Sequence, residues 1–289
     1  MKIAVASGKG GTGKTTVSTN LAKLIEKEYE KKEDHRLWFL DCDVEEPNAH
    51  LFLKPSFTVS KPVLVKVPQI DLEKCDYCAR CSEVCAFNAL AVLKEKIIFF
   101  EHMCHSCGSC TYFCPQEAIK EVSREVGVVQ EGFCDDMGFT HGILDVGEAI
   151  SPPVIDEVKS YQDWARVTII DVPPGTSCPV IAALKDIDFC LLVTEPTPFG
   201  LNDMGLLVDL LRSLNIPFAV VINRSDLGNE KVEMFCREEK IPVFLKIPFD
   251  KEIARISAEG GSLVEEVPWV RDSFSDLWSK IKEMLGLWV

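Results

Sequence analysis

The chain has 289 residues, of which 47% are hydrophobic and 26% charged, with a formal charge of −14. That length suits one large α/β domain or two smaller ones, and the apolar share is enough to bury a core. The acidic balance excludes a broad nucleic-acid surface and disfavours anionic membranes, and no apolar run reaches the roughly 20 residues needed to span a bilayer.

In chain order, Lys2–Ser7 reads as a buried strand, too short for a signal-peptide core, so a cytoplasmic location is expected. A glycine-rich turn and a helix from about Lys14 to Tyr29 follow, and the charged run 26–36 reads as a solvated helix end plus loop. Leu37–Asp41 reads as a second strand. Residues 61–121 carry a cysteine cluster and are expected to form short strands with little long helix. After about Val126 an α/β alternation resumes, with strands at Val167–Asp171, Phe189–Thr194, Phe218–Asn223 and Val243–Ile247. Their nearly continuous apolar character suits a parallel sheet covered on both faces. Between them, 202–214 has helical periodicity, with Leu206, Leu207, Leu210, Leu211 and Leu214 on one side. The C-terminal segment places Phe274, Leu277, Trp278, Ile281, Met284, Leu285 and Trp288 at helical spacing. Asp276, Lys280, Lys282 and Glu283 lie opposite without a basic bias, so this helix is expected to dock on the sheet rather than a membrane.

The segment Gly8-Lys9-Gly10-Gly11-Thr12-Gly13-Lys14-Thr15 matches G-x-x-x-x-G-K-[ST] between a strand and a helix. Its glycines let backbone N–H groups approach phosphates, and the helix N-terminus adds a positive dipole. Lys14 is expected to reach the β- and γ-phosphates, Thr15 to bind Mg²⁺, and Thr16 to complete the nucleotide-binding set.

Eight of the thirteen cysteines form two runs, Cys75-x₂-Cys78-x₂-Cys81-x₃-Cys85 and Cys104-x₂-Cys107-x₂-Cys110-x₃-Cys114-Pro115. Each is the bacterial ferredoxin run for a [4Fe-4S] cluster, in which the fourth cysteine serves the other cluster. One expected ligand set is Cys75, Cys78, Cys81 and Cys114; the other is Cys85, Cys104, Cys107 and Cys110. Zinc competes for C-x₂-C pairs, but two complete runs favour iron–sulfur. Ala86 stands where a proline is usual, and His102 and His105 read as surface residues beside a full thiol set.

Lys9, early in the phosphate loop, makes the chain resemble the deviant Walker A ATPases, which include MinD, ParA, Mrp and the nitrogenase iron protein. The resemblance implies an ATP-dependent homodimer in which Lys9 crosses to the partner's phosphates. It also implies that Asp43, in Asp41-Cys42-Asp43, positions the attacking water beside Mg²⁺, giving Lys9, Lys14 and Asp43 as catalytic residues. Asp171, opening Asp171-Val172-Pro173-Pro174-Gly175, joins Thr15 and Asp43 at magnesium. Asn223-Arg224 resembles the adenine-reading segment, 194–200 a MinD segment, and Ile247-Pro248-Phe249-Asp250 its late turn, which adds Pro248 to the nucleotide set.

The expected fold is therefore α/β, a doubly wound, mostly parallel P-loop NTPase sheet interrupted by a small α+β ferredoxin-like domain. The division is 1–60 and 123–289 for the ATPase parts and 61–122 for the insertion. ATP, Mg²⁺ and two [4Fe-4S] clusters are the expected cofactors, with a redox or Fe–S acceptor protein as partner. The leading expectation is ATP-gated electron transfer through the clusters. An Mrp-type cluster carrier and a MinD-like regulatory ATPase with structural or sensory clusters are the alternatives. Mrp-type carriers bridge a cluster with a C-x-x-C pair in the ATPase domain, and this chain has none outside the two runs. Cys42 and Cys178 flank the switch-like segments and are expected to be small buried hydrophobes. Residues 126–150, including His141 and Asp145-Val146-Gly147-Glu148, are expected to form loops or hairpins beside the nucleotide site.

Overall fold

The computed structural model describes all residues except 30–36, 162, 164 and 287–289. The first half contains β1 (Lys2–Ala6), α1 (Lys14–Tyr29), β2 (Leu37–Asp41), α2 (His50–Leu53), β3 (Ser56–Ile70), α3 (Arg80–Glu83), β4 (Leu90–Leu93), β5 (Lys96–Phe99), α4 (Ser109–Tyr112), β6 (Ile119–Cys134) and β7 (Met137–Leu144). The second half contains α5 (Pro152–Lys159), β8 (Val167–Asp171), α6 (Cys178–Leu184), β9 (Phe189–Thr194), α7 (Pro198–Ser213), β10 (Phe218–Asn223), α8 (Lys231–Glu238), β11 (Val243–Ile247), α9 (Lys251–Ala258), α10 (Leu263–Glu266) and α11 (Pro268–Met284).

Nine strands form one sheet in the order β11-β10-β9-β1-β8-β2-β7-β6-β3. From β11 to β7 every pairing is parallel, and β6 and β3 extend that edge antiparallel. The central strands bury both faces because their side chains alternate between two apolar layers. Ile3 and Val5 of β1 join Leu21 and Ile25 of α1 and Phe274 and Trp278 of α11. Ala4 and Ala6 face Val154 and Val158 of α5, Val180 of α6 and Leu207 of α7. Local signals mark where several helices begin. Pro198 sits in the first turn of α7 behind Thr197, whose hydroxyl accepts from Gly200 N at 3.0 Å, and Asp250 caps α9 by accepting from Glu252 N at 2.6 Å.

Three details differ from the sequence reading. The buried face of α7 is Met204, Leu207, Val208 and Leu211, whereas Leu206 and Leu214 are exposed, because the helix is set by the i, i+3, i+4, i+7 stripe beginning at Met204. Glu26 is not part of a solvated run; it is buried beside Lys23 at 3.1 Å, and residues 30–36 of that run lie outside the described residues. The segment between the cysteine runs and the core is not made of short strands. β3 and β6 pair from Ser56↔Phe133 to Ile70↔Ile119 with register shifts at 57–59 and 63–64, and the limits 61 and 122 fall within them. Pro62 and Pro68 argue against a strand in the sequence, but β3 is the outermost strand, where a missing N–H is tolerated.

This ribbon carries the cysteine runs at its far end, where the hairpin β4–β5, α3 and α4 share a small apolar cluster of Cys81, Leu90 and Ile119. Residues 126–150 form the β6–β7 hairpin, with β7 in the main sheet, and the turn that follows it. As expected, the last helix docks on the body of the protein: Phe274, Leu277, Trp278 and Ile281 are buried in the layer that holds α1. Met284 is exposed, and Trp288 lies outside the described residues. Among the described residues no helix is long and apolar enough to cross a membrane. Phe274→Ala should lower stability by about 3–5 kcal/mol, the usual loss for deleting a buried ring, read as a lower denaturant midpoint with an unchanged slope.

Candidate functional site

A cleft of about 790 Å³ opens at the carboxyl ends of the parallel strands and is lined by Gly10, Gly11, Gly13, Lys14, Thr15, Thr16, Asp43, Asn223, Arg224 and Pro248. The phosphate loop runs from β1 into α1 under two steric constraints. A Cβ on Gly8 would lie 2.3 Å from the Asp203 carbonyl oxygen of α7. Gly13 has φ +90°, and a Cβ there would lie 2.4 Å from Asn223 Nδ2. That amide donates to the Thr12 carbonyl at 2.9 Å, so Asn223 braces the loop as well as facing the cleft.

Lys14 is almost fully buried, with Nζ 3.0 Å from Asp171 Oδ1 and 3.6 Å from Asp43 Oδ2. Thr15 donates its hydroxyl to Asp171 Oδ2 at 2.7 Å. Burial pulls the Lys14 pKa down, but Asp171, Asp43 and Asp41 together hold it above the ordinary lysine value. Burial pushes Asp43 up to about 6 against the opposing pull of Lys14. The Lys14–Asp171 contact is an ion pair by distance, yet neither Lys14 Nζ nor Asp171 Oδ1 makes a well-directed hydrogen bond, and the buried Thr12 hydroxyl also has none. These buried polar atoms keep bonding capacity at the mouth of the phosphate loop.

Two site residues escaped the sequence reading. Asp41, fully buried at the end of β2, accepts from the backbone N–H groups of Asp43, Asn48 and Ala49 at 3.1, 3.2 and 3.0 Å. It closes the segment bearing Asp43 into a loop. Burial, and then the neighbouring Asp171 charge, raises its pKa above the carboxylate range. Glu195, after β9, holds Lys9 Nζ at 2.7 Å on one oxygen and Arg224 Nη1 at 3.0 Å on the other. Burial opposes its ionisation, but these two cations keep its pKa below the ordinary value. Lys9 therefore bonds within its own subunit in this structure. Its charge partner was foreshadowed only by the acidic residue of the Thr194–Gly200 segment. Cys42 is buried as expected, whereas Cys178 is exposed in the first turn of α6, where Pro179 turns toward the cleft.

The eight clustered cysteines separate into two small cavities. One is lined by Cys75, Cys78, Cys81 and Cys114 beside Ile70 and Ile119, the last pair of the ribbon. The other is lined by Cys85, Cys104, Cys107 and Cys110 beside Lys66, Pro68 and Glu121, closer along the ribbon to the main sheet. These are called here the distal and proximal cavities. Backbone N–H groups donate to sulfur at three points, Tyr77 to Cys75 at 3.4 Å, Ala89 to Cys85 at 3.3 Å and Ala118 to Cys114 at 3.3 Å. The two runs adopt matching backbones, with positive φ at Tyr77 and Ser106, at Ala79 and Gly108, and at Asn88 and Glu117. Among the described residues no three His, Cys, Asp or Glu side chains are grouped to hold a single metal ion. His102 and His105 are exposed, and His105 stacks on Phe87 with centroids 3.6 Å apart.

The family model described as the CobQ/CobB/MinD/ParA nucleotide binding domain matches residues 3–264. An uncharacterized protein of Methanocaldococcus jannaschii is 34% identical over 99% of this chain and 98% of its own length. A protein of Pyrococcus abyssi named iron-sulfur cluster carrier protein is 28% identical over 99% of this chain and 88% of its own. Among solved structures, MinD complexed with Mg-ADP from Pyrococcus horikoshii aligns with TM-score 0.60 at 19% identity, covering 99% of this chain and 97% of that one. At that identity the likeness is one of fold.

The raised pKa of Asp43 has a thermodynamic consequence. A native carboxyl that titrates above its unfolded value near 4 penalises folding while ionised, so the penalty is present above pH about 6 and is relieved as pH falls toward about 4. Asp43→Asn should therefore exceed wild type in stability at pH 7.5 by a margin that shrinks and vanishes by pH about 4.5, measured by denaturant unfolding of the iron-free protein.

Proposed function

This chain belongs to the CobQ/CobB/MinD/ParA nucleotide-binding family, and from that premise we propose that it is a dimeric ATPase that holds iron–sulfur clusters in its cysteine segment and passes them to an acceptor protein. The observation that carries the reading is the sorting of eight cysteines into two cavities of four, with backbone N–H groups directed at two sulfurs of the distal cavity and one of the proximal. Four thiols around a cavity suit the corners of a cube, and N–H···S bonds stabilise thiolate ligands. The carrier name borne by the Pyrococcus abyssi relative supports the same direction. In this reading 61–122 is an inserted ferredoxin-type unit between the ATPase parts 1–60 and 123–289.

The ATPase cycle follows from the cleft. Backbone N–H groups of Gly10 to Thr15 and the α1 N-terminus face the phosphates, and Lys14 neutralises the β- and γ-oxygens. Thr15 and Asp171 fit Mg²⁺, since both are oxygen donors and Asp171 Oδ1 is buried without a hydrogen bond. When bound, the ion offsets phosphate charge. Asp43, 3.6 Å from Lys14, orients the attacking water in line with the γ-phosphorus. Lys9 leaves Glu195 to reach the partner's phosphates, so dimerisation exchanges one ion pair for another. Asn223, Arg224 and Pro248 enclose the base.

Electron transfer is the second reading, and one feature favours it: each cavity has a complete thiol set, which retains a cluster rather than offering it. The two separate in one assay. Anaerobically reconstituted protein is mixed with iron-free ferredoxin, and transfer is followed by the acceptor's absorbance with and without ATP. The carrier reading expects ATP-accelerated transfer that Lys14→Ala removes. Clusters that stay in place while their potential shifts with ATP would establish the electron-transfer reading instead. Independently, Asp43→Ala should bind ATP normally yet hydrolyse it about 10²-fold more slowly, measured as phosphate release under saturating ATP.

A further inference from the structure

The stretch from Arg124 to Glu148 lies between the two sites and belongs to neither, and its two ends are joined by an ion pair whose side chains are mostly buried. Arg124 of β6 places Nη1 2.5 Å from Glu148 Oε2 and Nε 3.2 Å from Glu101 Oε1. The Glu148 side chain is 3% exposed and that of Arg124 is 16% exposed, so both are largely shielded from water. Glu101 belongs to a single turn, and its carbonyl accepts from Cys104 N at 3.1 Å. Arg124 thus sits one residue contact from a thiol of the proximal cavity. Its charge favours the Cys104 thiolate, although burial is the stronger influence and leaves that thiol above its ordinary pKa.

The other end of the network reaches the nucleotide cleft. Glu148 N donates to the Asp145 carbonyl at 3.0 Å, closing a tight turn whose Asp145 N donates to Val126 at 3.1 Å. One residue earlier, Leu144 N donates at 2.9 Å to the carbonyl of Val44, the neighbour of Asp43. Asp43 in turn faces Lys14. A continuous path of short contacts therefore runs from the phosphate-binding lysine through Asp43, Val44, the turn 145–148, Arg124 and Glu101 to Cys104. The distal cavity is lined by none of these residues.

We propose that Arg124 is a positioning residue that makes the proximal four-cysteine site, and not the distal one, responsive to the nucleotide bound in the cleft. The inference rests on the reading that the cysteine cavities hold iron–sulfur clusters. When the loop bearing Asp43 shifts between nucleotide states, Val44 carries Leu144 and the turn with it. Glu148 then neutralises Arg124 to a different extent, and the field at the anionic proximal site changes. An ion pair this shielded is weakly screened, so a small displacement changes its field more than a surface pair would. A nearby cation raises a cluster's reduction potential and strengthens thiolate ligation, so both properties should follow the pair.

The test uses full-length, anaerobically reconstituted protein holding both clusters. Iron release to bathophenanthroline disulfonate and the potentials of both clusters by EPR-monitored titration are recorded without nucleotide, with ADP and with a non-hydrolysable ATP analogue. Wild type should show two kinetic phases, of which one changes with nucleotide by roughly 2- to 30-fold, the span of energetic coupling through such networks. Arg124→Gln and Glu148→Gln should each remove the nucleotide dependence of that phase. Arg124→Gln should make one potential more negative, and the second phase and nucleotide affinity should be unchanged. Arg124→Lys, which keeps the charge, should restore most of the response and guards against misfolding of the Gln variant. The double variant should match the single ones, because the two residues act as one unit. If wild type responds to nucleotide and Arg124→Gln responds equally, this inference fails while the function stands. If eight irons bind but neither phase of wild type responds, the coupling itself is refuted. If no iron is retained, the cluster reading falls and this inference with it.

Discussion

The arrangement depends on a buried charge imbalance at the end of three adjacent strands. Asp171 on β8 and Asp41 on β2 are fully buried, Asp43 is mostly buried, and Lys14 is the cation among them. A carboxylate taken out of water needs a partner, and there is one ammonium for three acids. The sequence resolves this in three different ways. Asp171 takes Lys14 and the Thr15 hydroxyl. Asp41 takes three backbone N–H groups. Asp43 is left with the longest contact to Lys14 and a pKa near 6. Asp43, the acid with the longest contact to the ammonium and the most open of the three, is thus the one whose position depends most on what enters the cleft. A ligand that brings phosphates to Lys14 and a divalent ion to Asp171 rewrites the partners of Asp43 first.

Geometry then determines where such a change is felt. Asp41 fixes the loop through Asn48 and Ala49, α2 follows directly, and β3 begins at Ser56. His50 of α2 lies edge-on to His141 of β7 with ring centroids 5.3 Å apart, and Phe57 of β3 stacks on the same His141. Burial, and then the nearby His50, lowers the His141 pKa to about 4, so His141 is neutral at ordinary pH. The loop, the root of the ribbon and the sheet are therefore packed as one block. The cysteine runs hang from a two-stranded ribbon that continues the sheet, not from a flexible tether, so displacement at the root need not dissipate before reaching the tip.

Much of this was legible in the sequence, and the exceptions share a cause. The parallel strands, α1 and the phosphate loop were readable because period, punctuation and motif agree locally, as at Gly8–Thr15 and Val167–Asp171. The grouping of the eight cysteines into two cavities follows the spacing of the two runs. The ribbon was not readable, because Pro62 and Pro68 obscure an edge strand whose paired residues lie 49 to 77 positions away. Asp41 and Glu195 were not readable as working residues either. Their roles are defined by what they touch: Asp41 takes backbone N–H groups of the loop that follows it, and Glu195 takes a lysine far away in sequence on the neighbouring strand's loop, and neither contact leaves a trace in residue pattern. Cys178 failed differently. The general burial of free cysteine predicts an inward side chain, but Cys178 opens α6 and is exposed there.

The same physics bears on whether the cysteine segment holds its cargo or yields it. The segment has a small apolar core of its own, three buried residues at the ribbon's end. Against this stand several non-glycine residues with positive φ, Tyr77, Ala79, Asn88, Ser106 and Glu117, at about 1–3 kcal/mol each. A backbone so strained and so thinly packed is held by whatever binds the thiols, so losing a cluster costs the segment its order as well as its ligands. The cost is not equal at the two cavities. The distal one contains Cys81, which belongs to that small core, and the ribbon's last pair. The proximal one is braced from outside the cavity by the Arg124–Glu101 and Arg124–Glu148 ion pairs, which involve no thiol. A site that remains ordered when empty is the one that can release and rebind. If the protein is a carrier, the proximal site is therefore the one that exchanges, and the distal cluster is the part that keeps the segment folded while it does so.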